Sequence, residues 1–193
     1  KADDVVSIQV AFSEAVDVAG GTPQLTLATG GGGTAVNYAS GTGTSTLTFT
    51  YTVAAGNTSA DLDYAATGSL ALNGATIRDT AGNNATLTLA TPGAANSLAN
   101  NKALVVDTTA ATVTNVTSTN DNGTIISGEV IAVTVTFSEA MTVTGTPRIT
   151  LETGTTDQVV NFSSGSGSST LTFNYTVQAG DTSSDLNYKA TSS

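Results

Sequence analysis

The chain repeats itself. VAFSEAVDV (Val10 to Val18) returns as VTFSEAMTV (Val135 to Val143), an offset of 125 residues. One residue is lost near Gly20–Gly21, and from there Thr22 to Ser69 aligns without gaps on Thr146 to Ser193 at an offset of 124. About 60% of those 48 positions are identical, as in LTFTYTVAAGNTSADLDY (Leu47 to Tyr64) against LTFNYTVQAGDTSSDLNY (Leu171 to Tyr188). A duplication of this length means that one copy's fold must be the other's, each with its own core.

The copies differ at their ends. Copy one continues for almost 40 residues past the last matched position, through Leu70, Ile77, Leu87 and Val106. Copy two opens with Thr112 to Thr117, a stretch without a counterpart before Val5. The expected organisation is residues 1–107 as one repeat with its first strand missing, and 108–193 as a second repeat with its C-terminal strands missing. The chain thus reads as a window on a longer array, with Asp107–Thr112 (DTTAAT) as a short, semi-rigid junction.

Periodicity within each copy is two, not 3.6. Ile8, Val10 and Phe12 alternate with Ser7, Gln9 and Ala11, and Leu47, Phe49, Tyr51 and Val53 with Thr46, Thr48, Thr50 and Thr52. Val133, Val135 and Phe137 do the same in copy two. Such stretches place apolar side chains on one sheet face and hydroxyls on the other. Turn clusters at Gly30–Gly33, Ser40–Gly43 and Ser163–Ser169 separate them. The fold class predicted is all-β: tandem antiparallel Ig-like β-sandwich repeats, with seven or eight short strands per copy and the second copy truncated.

Composition narrows the function. The net charge is −10, with five basic residues in all, so nucleic acid and anionic membrane surfaces are poor partners. No apolar run approaches the roughly 18 residues of a membrane span, and no membrane insertion is expected. There is no Cys and no His, which removes disulfides, thiolate metal sites and the usual nucleophile–base pairs. Gly41-Thr-Gly43 and Gly165-Ser-Gly167 precede no helical pattern and read as hairpin turns rather than phosphate loops. An enzyme is not expected.

Four segments carry a resemblance: TFSEA (Thr136 to Ala140), Gly145-Thr-Pro147, RDTAGN (Arg78 to Asn83) and VVDTTAATVT (Val105 to Thr114). In this order and tandem spacing the chain resembles the Ig-like repeats of giant bacterial cell-surface proteins, the biofilm-associated adhesins and a swimming-associated surface protein among them. Ala111 stands where those repeats usually place Pro. The resemblance implies a secreted, cell-surface module stacked in many copies. It further implies stiffening by calcium at the junctions, and a terminal binding domain held away from the cell.

Calcium takes six to eight oxygens from carboxylates, amides and carbonyls. If the strands alternate as in an Ig sandwich, a turn after Phe12 and the turn at Asp79–Asn83 fall at one pole, which the incoming linker also enters. The candidate ligands are then Glu14, Asp79 and Asn83 in copy one, and Asp107 and Glu139 at the junction, with Thr108 or nearby carbonyls helping. The same residues also suit an ordinary Asp–Gly–Asn turn and solvated loop acids. A second acidic cluster, Asp61 and Asp63 with Asp181 and Asp185, exchanges Asp for Asn between copies at Asn57 and Asn187, which favours turns over ion sites. The recurring aromatics Phe12, Phe49, Tyr51 and Tyr64, and Phe137, Phe173, Tyr175 and Tyr188, are expected in the core.

The function expected is a structural spacer whose partners are neighbouring repeats. Two alternatives stay open. One is a module that binds carbohydrate or a host surface. The other is a subunit of an extracellular filament, self-associating by strand exchange across open sheet edges.

Overall fold

The computed structural model describes residues 1–190. The chain forms two compact units, Lys1–Thr109 and Ala110–Ser193. The all-β, tandem Ig-like class holds in both.

In the first unit the strands are β1 (Val5–Gly20), β2 (Gln24–Leu27), β3 (Thr34–Ser40), β4 (Thr44–Thr52), β5 (Leu70–Ala71) and β6 (Ala75–Asp79). They hydrogen-bond in the order β5-β2-β3-β4-β1-β6, and every pairing is antiparallel. Two interruptions bend this ladder. One lies between Tyr38 and Ser40 in β3, the other between Ala11 and Val16 in β1. Extra residues in one strand, one in β3 and three in β1, twist and redirect it, and the bends bring β2 and β4 onto one core. Leu25 and Leu27 from β2 meet Leu47, Phe49 and Tyr51 from β4, all 0% exposed. The intervening Thr48 and Thr50 face outward or half outward, as the period of two requires.

The second unit repeats this scheme with β7 (Val113–Ser118), β8 (Val130–Met141), β9 (Arg148–Glu152), β10 (Gln158–Ser164), β11 (Ser168–Thr176) and β12 (Asn187–Tyr188). Its order is β12-β9-β10-β11-β8-β7. Register is conserved along with sequence. Val10 opposes Leu47 as Val135 opposes Leu171, and Tyr38 opposes Phe49 as Phe162 opposes Phe173. The last two pairs pack edge to face with the same centroid separation, 6.2 Å. The Ser/Thr hydroxyl that closes the hairpin is repeated too: Thr44 Oγ1 donates to Gly41 O at 2.7 Å, and Ser168 Oγ to Gly165 O at 2.8 Å.

Three expectations need correcting. Each unit has six strands among the described residues, not seven or eight. Residues 80–109 make almost no ladder; their Asn, Gly, Thr and Pro content suits turns, and they carry only the four-residue helix α1 (Leu98–Asn101), capped by Ser97 Oγ. Second, no turn follows Phe12. The strand runs through Ser13 and Glu14 as a bulge and reaches Gly20, exchanging β4 for β6 as its principal partner. Third, Tyr188 is not core: it is 39% exposed, whereas its counterpart Tyr64 is 6% exposed.

The edges differ between units. In the second, β7 pairs with β8 from Val133 to Phe137. The matching stretch of β1, Ile8 to Phe12, pairs with β4 on one side, and no described strand takes its other edge.

Candidate functional site

The predicted ion ligands lie on different elements. Glu14 sits exposed in the β1 bulge, two residues before Val16, whose cross-strand partner is Asp79. Asp79 ends β6 and begins a tight turn: Oδ1 accepts the Asn83 backbone N–H and Oδ2 the Asn83 side-chain amide, both at 2.8 Å. The Asn83 side-chain bond, then its backbone N–H, hold the Asp79 carboxyl below its ordinary range. Both carboxylate oxygens therefore already have donors within the turn, the Asx arrangement that Asp and Asn adopt at loops. Asp107, exposed, accepts from Thr109 N at 2.9 Å. Glu139 is half-buried in β8. Asp107 belongs to the first unit and Glu139 to the second. Among the described residues no three of His, Cys, Asp and Glu gather closely enough to hold a metal ion. Glu14 and Asp79 alone, with Asn83, fall short of the six to eight oxygens calcium takes.

The second acidic cluster proves to be structural bracing. Asp63 is 6% exposed; Oδ1 accepts Tyr64 N and Oδ2 accepts Gly93 N, both at 2.9 Å. Asp61 Oδ1 accepts Leu104 N at 3.2 Å. Asp181 accepts the Tyr175 hydroxyl, Gln178 N and the Gln158 side-chain amide, and Asn57 likewise accepts the Tyr51 hydroxyl and Ala54 N. Asp181 Oδ2 and Asn57 Oδ1 serve as the same acceptor, which explains the Asp–Asn exchange.

Asp61 and Asp63 tie down the closing segment of the first unit, Leu70 to Val106. Leu62 N donates to Leu104 O at 2.7 Å, Ser59 and Val106 exchange two bonds at 2.8 Å, and the Tyr64 hydroxyl donates to Ala90 O at 2.6 Å. Beneath these bonds Val106, Leu104, Leu98, Leu89, Leu87 and Ala85 pack on the core. Leu62 is 0% exposed as a result.

The second unit has no such cover among its described residues. A groove of about 810 Å³ opens at the matching place. Its floor is Ile131, Val133, Ile149, Leu151, Tyr175 and Val177, the counterparts of Val6, Ile8, Leu25, Leu27, Tyr51 and Val53. Ser183, Asp185, Leu186 and Tyr188, which match Ser59, Asp61, Leu62 and Tyr64, stand on its rim.

The apolar floor continues a sandwich core, and the class the fold defines is a pair of Ig-like domains. Residues 2–92, a little under half of the chain, match the family model for the bacterial Ig-like domain, a non-catalytic domain type typical of surface proteins, to which the first unit is similar. No curated protein and no solved structure matches the chain. No helix among the described residues is long and apolar enough to cross a membrane.

Proposed function

We propose that the chain is a spacer of a secreted bacterial surface adhesin: repeats stacked in line that give reach and stiffness. The observation that supports this is the recurrence of one strand order and one register, each unit with its own apolar cluster. Repeat proteins gain length by adding such units, each stabilised by its own core and its neighbours. Side chains that a binding module would expose, above all aromatics, are instead mostly spent on the two cores.

Calcium at the junctions, with Glu14, Asp79, Asn83, Asp107 and Glu139 as ligands, is the ion part of the proposal. Its support is the oxygen chemistry of these side chains and the recurrence of Glu14 as Glu139. Titration calorimetry with calcium chloride, and melting in calcium against a chelator, tests it. Heat of binding and a higher melting temperature are expected; identical curves remove the ion.

The spacer role is tested separately on a glycan array, where we expect no specific glycan signal. Selective, saturable binding of one glycan class makes the chain a ligand-binding module instead.

A further inference from the structure

The chain contains two Asn-Gly pairs, Asn73-Gly74 and Asn122-Gly123, and both are exposed. Access to water does not distinguish them, but their mechanical settings do. Asn73-Gly74 is the centre of the turn between β5 and β6, closed by Ala75 N donating to Leu72 O at 2.9 Å. Asn73 is left-handed there, with φ of 47°, and Gly74 has φ of 80°, the two positive angles that a type I′ turn requires. The Asn73 side-chain amide donates to Thr22 O at 3.1 Å, and Gly21 N donates to Gly74 O at 3.2 Å. Main chain and side chain are both held.

Asn122-Gly123 lies in the connection from β7 to β8, which is fastened at its two ends. Asn120 Nδ2 donates to Val130 O and Asn120 Oδ1 accepts from Ala132 N, each at 3.0 Å. Further on, Ile126 N donates to Glu129 Oε2 at 2.8 Å. Between these anchors, residues 121–125 make no hydrogen bond among the described residues. A Cβ at Gly123 would meet nothing within 4 Å, and its φ is not left-handed.

We propose that Asn122 is a self-modification site, whose side-chain amide converts without an enzyme to aspartate and isoaspartate, whereas Asn73 is protected by its turn. The step needs the next residue's backbone N to reach the Asn side-chain carbonyl carbon. Glycine permits this approach because it has no Cβ in the way. Gly123 N gives its proton to hydroxide and bonds to Asn122 Cγ; the Cγ–Nδ2 bond breaks, and Nδ2 leaves as ammonia. The five-membered imide then takes up one water. Parting Gly123 N from Cγ leaves aspartate. Parting it from the former backbone carbonyl leaves isoaspartate, with the main chain rerouted through Cβ and Cγ. One water enters, one ammonia departs, and nothing is oxidised or reduced.

Reaching Cγ takes rotation about the Asn backbone and side chain. At Asn73 that breaks the Ala75–Leu72 and Asn73–Thr22 bonds, a local opening that keeps the reactive population small. At Asn122 no hydrogen bond has to break. The product places a further negative charge beside Asp121, in a stretch whose anchors lie on either side of it, so β7 and β8 keep their pairing. The proposal is independent of the spacer role, because it concerns one amide and not the reach of an array.

The test ages the 193-residue chain in mildly alkaline buffer and follows the peptides carrying Asn73 and Asn122 by mass spectrometry. Conversion at Asn122 is expected to be at least about tenfold faster than at Asn73 in the folded chain. In denaturant, where both are plain Asn-Gly pairs, the two rates should converge. Gly123→Ala, whose Cβ has open space, should fold as the parent does and slow conversion at Asn122 at least about tenfold. The proposal is overturned if folded Asn122 keeps its amide over the time in which the denatured chain loses it, or if folded Asn73 converts as fast as Asn122. Unchanged conversion at Asn122 in Gly123→Ala overturns it as well.

Discussion

The Tyr175 hydroxyl donates to the Asp181 carboxylate at 2.5 Å, across the first turn after β11. Tyr51 and Asn57 make the equivalent bond at 2.9 Å in the first unit. One acceptor can ionise and the other cannot, so the two units should answer pH differently. Burial, then the Asp181 bond and charge, push the Tyr175 hydroxyl up to about 12. The Tyr175 bond, followed by smaller effects, lowers the Asp181 carboxyl.

For Asp181, whose folded pKa is depressed, stability is present above the ordinary carboxylate pKa and is lost as pH falls through the lowered one. For Tyr175, whose folded pKa is raised, stability is complete below pH about 10 and is lost as pH rises toward about 12. Melting of the second unit should therefore weaken at both extremes. Asp181→Asn, which copies the first unit, should lower the neutral-pH melting temperature modestly and flatten the acid limb. An unaltered acid limb in that variant would show that the bond does not control it.

Asp63→Ala should destabilise the first unit strongly. The carboxylate is buried and serves two backbone donors, Tyr64 N and Gly93 N. Leaving buried donors unsatisfied costs about 2–3 kcal/mol. Denaturant unfolding measures it, and Asp63→Asn, the residue of the second unit at Asn187, should cost less because one acceptor oxygen remains.

Gly41 and Gly165 form a matched pair of close approaches. At each the backbone is left-handed, with φ of 115° and 109°, and a Cβ would lie 2.1 Å from the carbonyl oxygen of Thr46 or Thr170. Neither backbone can yield without breaking the hairpin that joins β3 to β4 or β10 to β11. Gly41→Ala and Gly165→Ala should each cost at least about 1–3 kcal/mol. Gly56→Ala, where a Cβ meets nothing within 4 Å but φ is 86°, should cost less. Thermal melts of the three variants give the ranking.

Leu62→Ala and Leu186→Ala are the same substitution at matched positions. Leu62 is fully enclosed, so its loss leaves a cavity costing about 2–5 kcal/mol. Leu186 is half-buried on a groove rim and should cost clearly less. Equal losses by chemical denaturation would mean the rim is covered after all.

Much of this was legible in the sequence, and the reasons are local. The alternation of Leu47, Phe49 and Tyr51 with Thr fixed which face of β4 is buried, because the side-chain period of a strand is two. The duplication carried register from one unit to the other. Illegible were the features that depend on distant partners. A bulge and a turn look alike at Ser13–Glu14, because both use small or polar residues, and only pairing with β4 and β6 distinguishes them. Asp63 reads as a turn acid by its neighbours, yet it is buried because residue Gly93, 30 positions on, returns to it. The segment from Asn83 to Leu104 has enough Leu to suggest strands, but its turn residues keep it irregular, and it seals the core by side chains more than by ladder. The placing of Glu14 beside Asp79 and Asn83 rests in the sequence on a turn after Phe12, where the structure has a continuous bulged strand.

Two like sandwiches, of which the described residues close the first through Leu70 to Val106 and leave the second open at the same place, are the central claim. Native-state hydrogen exchange on the 193-residue chain, read at Leu62 and Leu186, tests it most directly. The account predicts strong protection at the ladder amides of both β4 and β11, strong protection at Leu62, whose N–H bonds Leu104 O, and fast exchange at Leu186. Equal protection at Leu62 and Leu186, or an unprotected β11, would contradict it.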